Sequence, residues 1–347
     1  MMSTVTDVRQ RLGGALGAYG PAMPVAARLR ALVSWAVLAP SGHNTQPWLF
    51  RIAGDALELR ADRSRALPVA DPDGRELVMS CGAALYNVRA ALRHSGALAD
   101  VAILPDADDP DLLARIRIGA PYEPTMEDEE IFAAIPARAT CRLPFDDRPL
   151  PRFLPGALRR AVEEEGATLV SVEPGPPREA LAELIAEGSR LQGTDAAFRR
   201  ELSEWVIANH SRRRDGVPGW AFGHSDLASL LGPVVMDVVP WGGAYARRDR
   251  ASALAAPAVV IVCTADDTPR DWLAAGQAVQ RLLLRACTEG VSASFLNQAV
   301  QLPGLRELLR DTLGLRGAPQ LVLRLGRPLP ARETRRTPRR EVEEVVL

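Results

Sequence analysis

Apolar and polar residues follow a helical period and then a strand period near the N-terminus. Apolar residues recur at helical spacing over residues 26–38, and Pro40 ends the pattern. Residues 49–61 then alternate with a period of two, interrupted at Gly54 and Asp55, which predicts two strands joined by a tight turn. A helix followed by a short polar loop and a hairpin is therefore predicted.

A second helical pattern follows the hairpin. Residues 75–94 predict a long helix that Gly96 ends, and residues 101–104 and 116–119 are strand-like. These elements complete a first α+β unit near residue 120. The acidic, proline-containing stretch 121–128 is then a candidate linker.

The long helix has a counterpart in the C-terminal part of the chain. The segment CGAALYNVRAALRHSGALA from Cys81 aligns without a gap with AGQAVQRLLLRACTEGVSA from Ala275. In this register Gly82 matches Gly276, and a strand ending in glycine follows each helix. Helix-glycine-strand units can also resemble one another by chance. We interpret the pattern as two related halves, residues 1–125 and 126–347.

Residues 188–250 have no counterpart in the first half, and they are called the lid segment here. They carry SRRRDGVPGWAF, VPWGGAY and several glycines. Aromatic residues beside glycine hinges are typical of a segment that closes over a ligand. A surface loop with its own short helices would account for the same residues.

Composition narrows the choice of partner. The hydrophobic content is 47% and the formal net charge is -1, so no strong field attracts nucleic acid or an anionic membrane. A small molecule is the better default partner.

The sequence shows neither an apolar run of membrane-spanning length nor a secretory leader, which predicts a cytoplasmic protein without membrane attachment. The 4 cysteines have no CxxC spacing, so neither a metal site nor a redox dithiol is predicted.

The sequence contains no lysine. This excludes a P-loop of the GK[ST] type and pyridoxal-phosphate chemistry through a lysine Schiff base. Every fixed side-chain cation is an arginine, whose planar guanidinium binds phosphate well.

The segment APSGHNTQPW, residues 39–48, is called the polar loop here. It places Ser41, His43, Asn44, Thr45 and Gln46 between the first helix and the first strand. Hydroxyl and amide groups at such a corner can match the donors and acceptors at the edge of a flavin ring. An Asx-turn that caps its own backbone would explain Ser41 or Asn44 singly.

Two arginine motifs follow in the second half. In ARATCRLPF, the side chains of Arg138, Thr140 and Arg142 share one face of an extended segment and describe a phosphate clamp. A solvated basic strand would show the same alternation. The second motif, TRRTPRREVEEVV, is either a solvated tail or, because of its valines, a segment that partly packs. Its arginines are Arg335, Arg336, Arg339 and Arg340.

These three pieces together resemble the nitroreductase family in content and order. The resemblance implies an FMN-binding α+β fold in which Ser41, Asn44 and Gln46 bind the flavin ring or ribityl chain. His43 would supply a hydrogen bond or a proton, or only shape the loop. The residues implied to hold the phosphate are Arg138, Thr140, Arg142, Arg339 and Arg340. The residues implied to lie near flavin N5 are Ser294, Leu296 and Asn297.

Members of this family are homodimers that build each FMN site from both subunits. Here the polar loop belongs to the first half and the arginine motifs to the second, so the resemblance implies a monomer that acts as an internal pseudo-dimer. The opening VRQRLGGALG lacks an Arg-Thr-Arg set, and AVEEEGATLVSV replaces the polar loop in the second half. Its acidic residues would repel a phosphate, so one FMN per chain is expected. The duplicated plan with a lid most resembles the mycobacterial Acg subgroup.

The resemblance implies an FMN-dependent oxidoreductase that takes a hydride from NAD(P)H at flavin N5 and reduces a small-molecule acceptor, a nitro compound or a quinone, by two electrons. No side chain is expected to be catalytic in its own right, because the flavin carries the reaction. The alternative is a non-catalytic protein that sequesters FMN beneath the lid segment. A third reading is a duplicated ligand-binding fold without flavin.

Overall fold

A computed structural model describes residues 23–329 and 335–347. In the first half, helix α1 (Val25–Ala36) precedes strands β1 (Trp48–Ala53) and β2 (Ala56–Ala61). Helix α2 (Arg75–His94) and strands β3 (Ala97–Ile103) and β4 (Leu112–Pro121) complete the unit. The strands form an antiparallel sheet in the order β1-β2-β4-β3.

The second half begins with helices α3 (Met126–Ala134) and α4 (Leu154–Glu163) and strand β5 (Thr168–Ser171). After a long helical connection the chain continues through β8 (Ala258–Thr264), α9 (Pro269–Thr288) and β9 (Ser292–Phe295). Helices α10 (Gln298–Gln301) and α11 (Pro303–Thr312) lead to β10 (Ala318–Gly326). The sheet is again antiparallel, in the order β5-β8-β10-β9.

The two sheets share one connection pattern. In each, the second strand in the chain is followed by a long helix, and the last strand lies between the second and the third. The helices α2 and α9 pack against each other at Gly82 and Gly276. A Cβ atom at Gly276 would lie 2.0 Å from the carbonyl oxygen of Met79, so only glycine permits this approach. The glycines matched in the alignment therefore meet at the centre of the molecule.

The connection between β5 and β8 contains the lid segment. It comprises α5 (Pro176–Thr194), α6 (Ala196–Trp205), α7 (Asp226–Val238) and α8 (Gly242–Ala255), with the short parallel strands β6 (Val206–Ile207) and β7 (Val217–Pro218). Residue 188 lies inside α5, so the helical connection extends beyond both predicted limits of the lid segment. Gly175 and the two prolines after it mark the start of α5, but periodicity shows no break at residue 188, because that residue lies within a continuous helix.

Three buried clusters stabilise these layers. One packs α1 and α2 on the first sheet and includes Trp48 and Phe50, both fully buried. The other two cover opposite faces of the second sheet, whose strands β8 and β10 are almost entirely buried. Continuous apolar runs are typical of strands covered on both faces.

The observed elements match the predicted helix 75–94 at both ends, and the hairpin turns at Gly54 with a φ of 63°. The segments 101–104 and 116–119 overlap the longer strands β3 and β4.

Among the described residues no single helix has the length and apolar content to cross a membrane, although α7 and α8 together have both, as a pair bent by 111°. The described residues also contain no group of three or more His, Cys, Asp or Glu side chains able to hold a metal ion.

Candidate functional site

The polar loop has a constrained backbone. Residues 42–44 form a short 3-10 turn directly after α1, and His43, Asn44 and Gln46 have φ values of 45°, 58° and 54°. Residues other than glycine rarely adopt this left-handed conformation, and it concentrates at functional sites. The hydroxyl of Ser41 accepts a hydrogen bond from the backbone N–H of Gln46 (2.9 Å), which closes the turn.

The side chains of Asn44 and Gln46 tie this turn to distant parts of the chain. The Asn44 amide donates to the carbonyls of Gly216 (3.0 Å) and Pro338 (3.1 Å). The Gln46 amide donates to the carbonyl of Arg214 (2.8 Å) and accepts from the backbone N–H of Arg340 (2.8 Å). The polar loop, the lid segment and the C-terminal arginine motif are thereby joined.

A cavity of about 250 Å3 opens beside this loop. Its walls come from both halves and from the lid segment. The lining residues that the sequence had singled out are Ser41, His43, Thr140, Arg142, Ser294, Leu296 and Asn297. From the lid segment, the apolar and aromatic lining residues are Phe198, Leu202, Val217, Phe222, Met236, Trp241 and Tyr245, and the polar ones are Ser189, Gln192, Arg248 and Asp249. The cavity is therefore polar towards the loop and mixed, with a large aromatic share, beneath the lid segment.

A smaller cavity of about 40 Å3 adjoins the first and is called the arginine pocket here. Ser41, Thr140 and Arg142 line both cavities. The arginine pocket is further lined by Asn44, Arg138, Arg335, Arg336, Thr337 and Arg339. The polar loop and both arginine motifs, which are far apart in sequence, thus meet in one place.

Four cations of the arginine pocket have no carboxylate partner among the described residues. Burial lowers the pKa of Arg138 and of Arg142 to about 10, and that of Arg336 to about 9. Burial and the neighbouring guanidinium groups also hold the pKa of Arg339 well below its usual value. Within residues 23–329 and 335–347, no carboxylate pairs with any of these four groups. A buried charge without a counter-charge is strongly unfavourable, so the arrangement favours binding of an anion.

Unused donors point to the same conclusion. The Nε atoms of Arg138 and Arg339 are buried and have no hydrogen-bond partner among the described residues. The Arg138 Nη1 atom reaches only the hydroxyl of Thr140, at 3.4 Å. Arg336 by contrast donates to the carbonyl of Pro136 (2.7 Å). The pocket therefore retains hydrogen-bonding capacity that a phosphate group could satisfy.

His43 lines the larger cavity, and its Nε2 atom is buried without a partner among the described residues. Burial, assisted by the nearby Arg142, lowers the pKa of His43 to about 4. The imidazole is therefore neutral at pH 7 and offers the cavity one hydrogen-bonding nitrogen.

Glu76 also lines the larger cavity, and the sequence had not singled it out. Its carboxyl accepts hydrogen bonds from the amides of Asn297 (3.1 Å) and Gln301 (3.1 Å). Burial raises the pKa of Glu76, and the neighbouring Asp71 adds to the effect, whereas Arg75, 3.8 Å away, opposes it. Glutamate in the first turn of a helix is common for local reasons, so the sequence carried no signal of this role.

The lid segment is fastened beside the polar loop. Arg65 donates to the carbonyl of Thr45 (2.8 Å) and forms an ion pair with Asp215. Asp215 also pairs with Arg213 (2.9 Å). The guanidinium carbons of Arg65 and Arg213 each lie 5.7 Å from the ring centre of Trp205. These contacts hold residues 205–215 over the loop.

Of the sequence-predicted site residues, those that the structure brings to the two cavities are Ser41, His43, Asn44, Arg138, Thr140, Arg142, Ser294, Leu296, Asn297 and Arg339. Gln46 and Arg340 line neither cavity. Gln46 is fully buried in loop contacts, and Arg340 lies 3.5 Å from Asp62. Arg335 and Arg336 line the arginine pocket together with Arg339.

The second half has a different arrangement where the polar loop would recur. Glu164 and Glu165 follow α4 there, and both pair with Arg281 on α9. Glu165, only 3% exposed, also pairs with Arg89 on α2. Here each arginine has a carboxylate partner, and no charge is left for an anion. The opening segment VRQRLGGALG of the first half lies outside the described residues.

Comparison with known proteins found relatives along the whole chain. The Mycobacterium tuberculosis protein named "Putative NAD(P)H nitroreductase Rv3131" is 31% identical over 339 residues, which cover 96% of each chain. The M. tuberculosis protein named "Putative NAD(P)H nitroreductase acg" is 30% identical over 330 residues, covering 91% of this chain and 94% of that one. No family model matches.

Solved structures gave weaker matches. The FMN-dependent nitroreductase NfnB from Mycobacterium smegmatis in complex with NADPH covers 62% of this chain and 96% of its own. Its sequence identity is 15% and the TM-score is 0.40.

Proposed function

This chain belongs to the NAD(P)H nitroreductase family that includes the Acg protein, and we propose that it binds one FMN and acts as an FMN-dependent NAD(P)H oxidoreductase. The acceptor in this proposal is a nitro compound or a quinone. One observation carries the cofactor assignment: four buried arginines, none of them paired with a carboxylate of the described residues, line a pocket that adjoins the larger cavity.

The arginine pocket fits the phosphate of FMN. A phosphate dianion would neutralise the buried charges and accept from the unused Nε atoms of Arg138 and Arg339. Arg142, Arg336 and the hydroxyl of Thr140 would add donors. Guanidinium groups suit this task because their planar donor sets match phosphate oxygens.

The larger cavity fits the flavin ring. Ser41 and the neutral imidazole of His43 would provide polar contacts on the side of the polar loop. The side chain of Asn297 is already bound to Glu76 and to the backbone N–H of Val322 (3.1 Å), and the N–H of Leu296 donates to Val322 O (2.8 Å). We therefore assign Leu296 and Asn297 to the cavity wall.

When bound, FMN accepts a hydride from a reduced nicotinamide and delivers two electrons to the acceptor. The chain's own contribution is to bind, orient and exclude water. Phe198, Trp241 and Tyr245 of the lid segment would restrict water above the cavity. Glu76, with its raised pKa, would hold a proton at the cavity wall over a wider pH range than an ordinary carboxyl.

We also propose that the two halves, 1–125 and 126–347, arose by duplication and form an internal pseudo-dimer with one complete site. The identical strand order of the two sheets and the packing at Gly82 and Gly276 support this. The ion pairs of Glu164 and Glu165 support a single site per chain. All four cysteines are free thiols, which suits the reducing cytoplasm, the compartment we propose.

A second candidate function is supported by the lid segment. Its apolar side chains line the cavity, and its contacts with the polar loop fasten it in place. A chain that keeps the flavin ring covered would sequester FMN without turnover. The same cofactor assignment underlies both functions.

Spectroscopy tests the proposal in two steps. The purified full chain, incubated with FMN and freed of excess, should retain a flavin spectrum at one FMN per chain. Anaerobic addition of NADPH or NADH should then bleach it rapidly if the protein is an oxidoreductase, and hardly at all if it sequesters FMN. A chain that takes up no FMN would overturn both functions.

A further inference from the structure

Helix α7 presents an apolar face to solvent. The exposed fractions are 74% for Leu227, 65% for Leu230, 62% for Val234 and 67% for Val238. Leu231, Val235 and Val239 extend this face, and the seven residues are called the apolar stripe here. The opposite face of α7 is buried through Ser229, Gly232 and Met236. The exposed side of the helix is therefore apolar over its whole length.

The apolar stripe is larger than a monomeric surface normally allows. Seven leucine and valine side chains between 47% and 74% exposed correspond to roughly 700 Å2. The largest apolar patch of a typical monomer is about 300 to 600 Å2, and a stable protein interface buries about 800 Å2 on each partner. The stripe thus approaches the area that one partner contributes to a stable dimer.

We propose that a second copy of this chain covers the apolar stripe, with the two α7 helices packed antiparallel across a two-fold axis. A stripe of leucine and valine without a charge inside it is self-complementary, as a two-fold interface requires. The site described above is complete within one chain, so this contact joins two complete units.

The charges at the edge of the stripe favour the antiparallel arrangement. Asp226 and Asp237 lie about three helical turns apart and therefore share one edge of α7. His210 lies 3.0 Å from Asp226, and Arg335 also acts on that carboxyl. In an antiparallel pair, this end, where Arg335 offsets the Asp226 carboxylate, faces the Asp237 end of the second copy. A parallel pair would place like ends together.

The same edge disfavours a bilayer as the occupant. The Asp237 carboxylate would approach the headgroups, and anionic lipids repel a carboxylate. Basic residues typically border helices that bind anionic membranes, whereas α7 carries no arginine of its own.

Self-association would also affect the cavity, because α7 contributes to its wall. Met236 on the buried face of α7 and Trp241, just after it, line the cavity. A second copy on the outer face would hold α7 in place and slow the release of bound FMN. This consequence rests on the proposed function, whereas the association itself does not.

Sedimentation velocity on the full chain, with and without added FMN, tests the association from about 1 µM to about 100 µM. We expect a monomer-dimer equilibrium in both samples. The double variant Leu230→Glu/Val234→Glu should raise the dissociation constant at least about tenfold. Asp237→Arg should raise it by a smaller factor, since it changes only the edge.

The matched control is Leu308→Glu on α11, where the side chain is 50% exposed outside the stripe. It should leave the dissociation constant unchanged, and circular dichroism should show that all variants fold. A wild-type chain that stays monomeric throughout would overturn the proposal. So would dimers that persist in the double variant, or monomers that sediment with phosphatidylglycerol vesicles through the stripe. Because the FMN-free sample is included, failure to bind FMN would not be mistaken for failure to associate.

Discussion

The arginines beside the polar loop and the arginines beside Glu165 have opposite electrostatic surroundings. Arg138 and Arg142 are buried without a carboxylate among the described residues. Arg89 and Arg281 are partly buried beside Glu165, which pairs with both. Both groups are arginines, but only Arg138 and Arg142 have a positive charge available to bind an anionic ligand.

The comparison shows how to tell a ligand site from a structural ion-pair cluster in this chain. A paired cluster stabilises the fold by itself, and losing one member leaves an uncompensated charge. An unpaired cluster destabilises the ligand-free chain and recovers that free energy when an anion binds. The two clusters should therefore respond to mutation in opposite ways.

The largest expected effect is on FMN affinity. Replacing both Arg138 and Arg142 by Met should weaken binding by about 3 to 6 kcal/mol, because each removes charge-assisted hydrogen bonds of about 1.5 to 3 kcal/mol. Fluorescence titration of FMN measures the change. The matched control Arg89→Met should leave affinity nearly unchanged. Equal losses in the two variants would erase the distinction between the clusters.

Next in size is the stability of the paired cluster. Glu165→Ala should lower the free energy of unfolding by about 3 kcal/mol, because it leaves Arg89 and Arg281 without their shared partner. In the FMN-free chain, Arg138→Met should leave this free energy unchanged or raise it, since it removes an unpaired buried charge. Urea unfolding compares the two, and a larger loss in Arg138→Met would contradict the assignment.

A pH effect of roughly 2 to 3 kcal/mol is expected from His43. Its pKa is lowered from 6.5 to about 4 in the folded chain, so the unfolded chain holds more protons between these values. Stability should therefore fall as the pH drops from 6.5 towards 4. The variant His43→Asn should lose this part of the pH dependence, as urea unfolding at several pH values would show. An identical profile in both proteins would mean that His43 titrates normally.

The smallest effect concerns the fastening of the lid segment. Asp215→Asn weakens the ion pairs with Arg65 and Arg213, each worth about 1 kcal/mol or less. We expect FMN to dissociate a few times faster, as stopped-flow fluorescence would show. The control Asp55→Asn removes an exposed pair with Arg117 on the first sheet and should change nothing. Unchanged release in Asp215→Asn would mean that the lid segment does not control exit.

Much of the first half could be predicted from its pattern. The helix 75–94 and the hairpin at Gly54 depend on local periodicity and on turn residues. The lid segment was harder to delimit, because α5 continues without interruption past residue 188. Its limits depend on contacts with α8, which lies far along the chain.

The residues of the candidate site also fall into those that the sequence could predict and those that it could not. The polar loop and the Arg-Thr-Arg motif are compact enough to be noticed in the sequence. Glu76 and Arg336 could not be assigned to the site from the sequence. Glu76 is an ordinary helical glutamate and Arg336 is one arginine among four, and only the residues around them in the folded chain distinguish them. Gln46 and Arg340 had the right residue type, but their side chains bind the loop and Asp62.

By itself, the sequence determined the helix 75–94, the hairpin at Gly54, the polar corner after α1, and arginine as the only fixed side-chain cation. Only the tertiary structure decided which arginines are buried without a carboxylate and which are paired. The reason is that periodicity acts over a few residues, whereas the free energy of a buried charge depends on every group that folding brings near it.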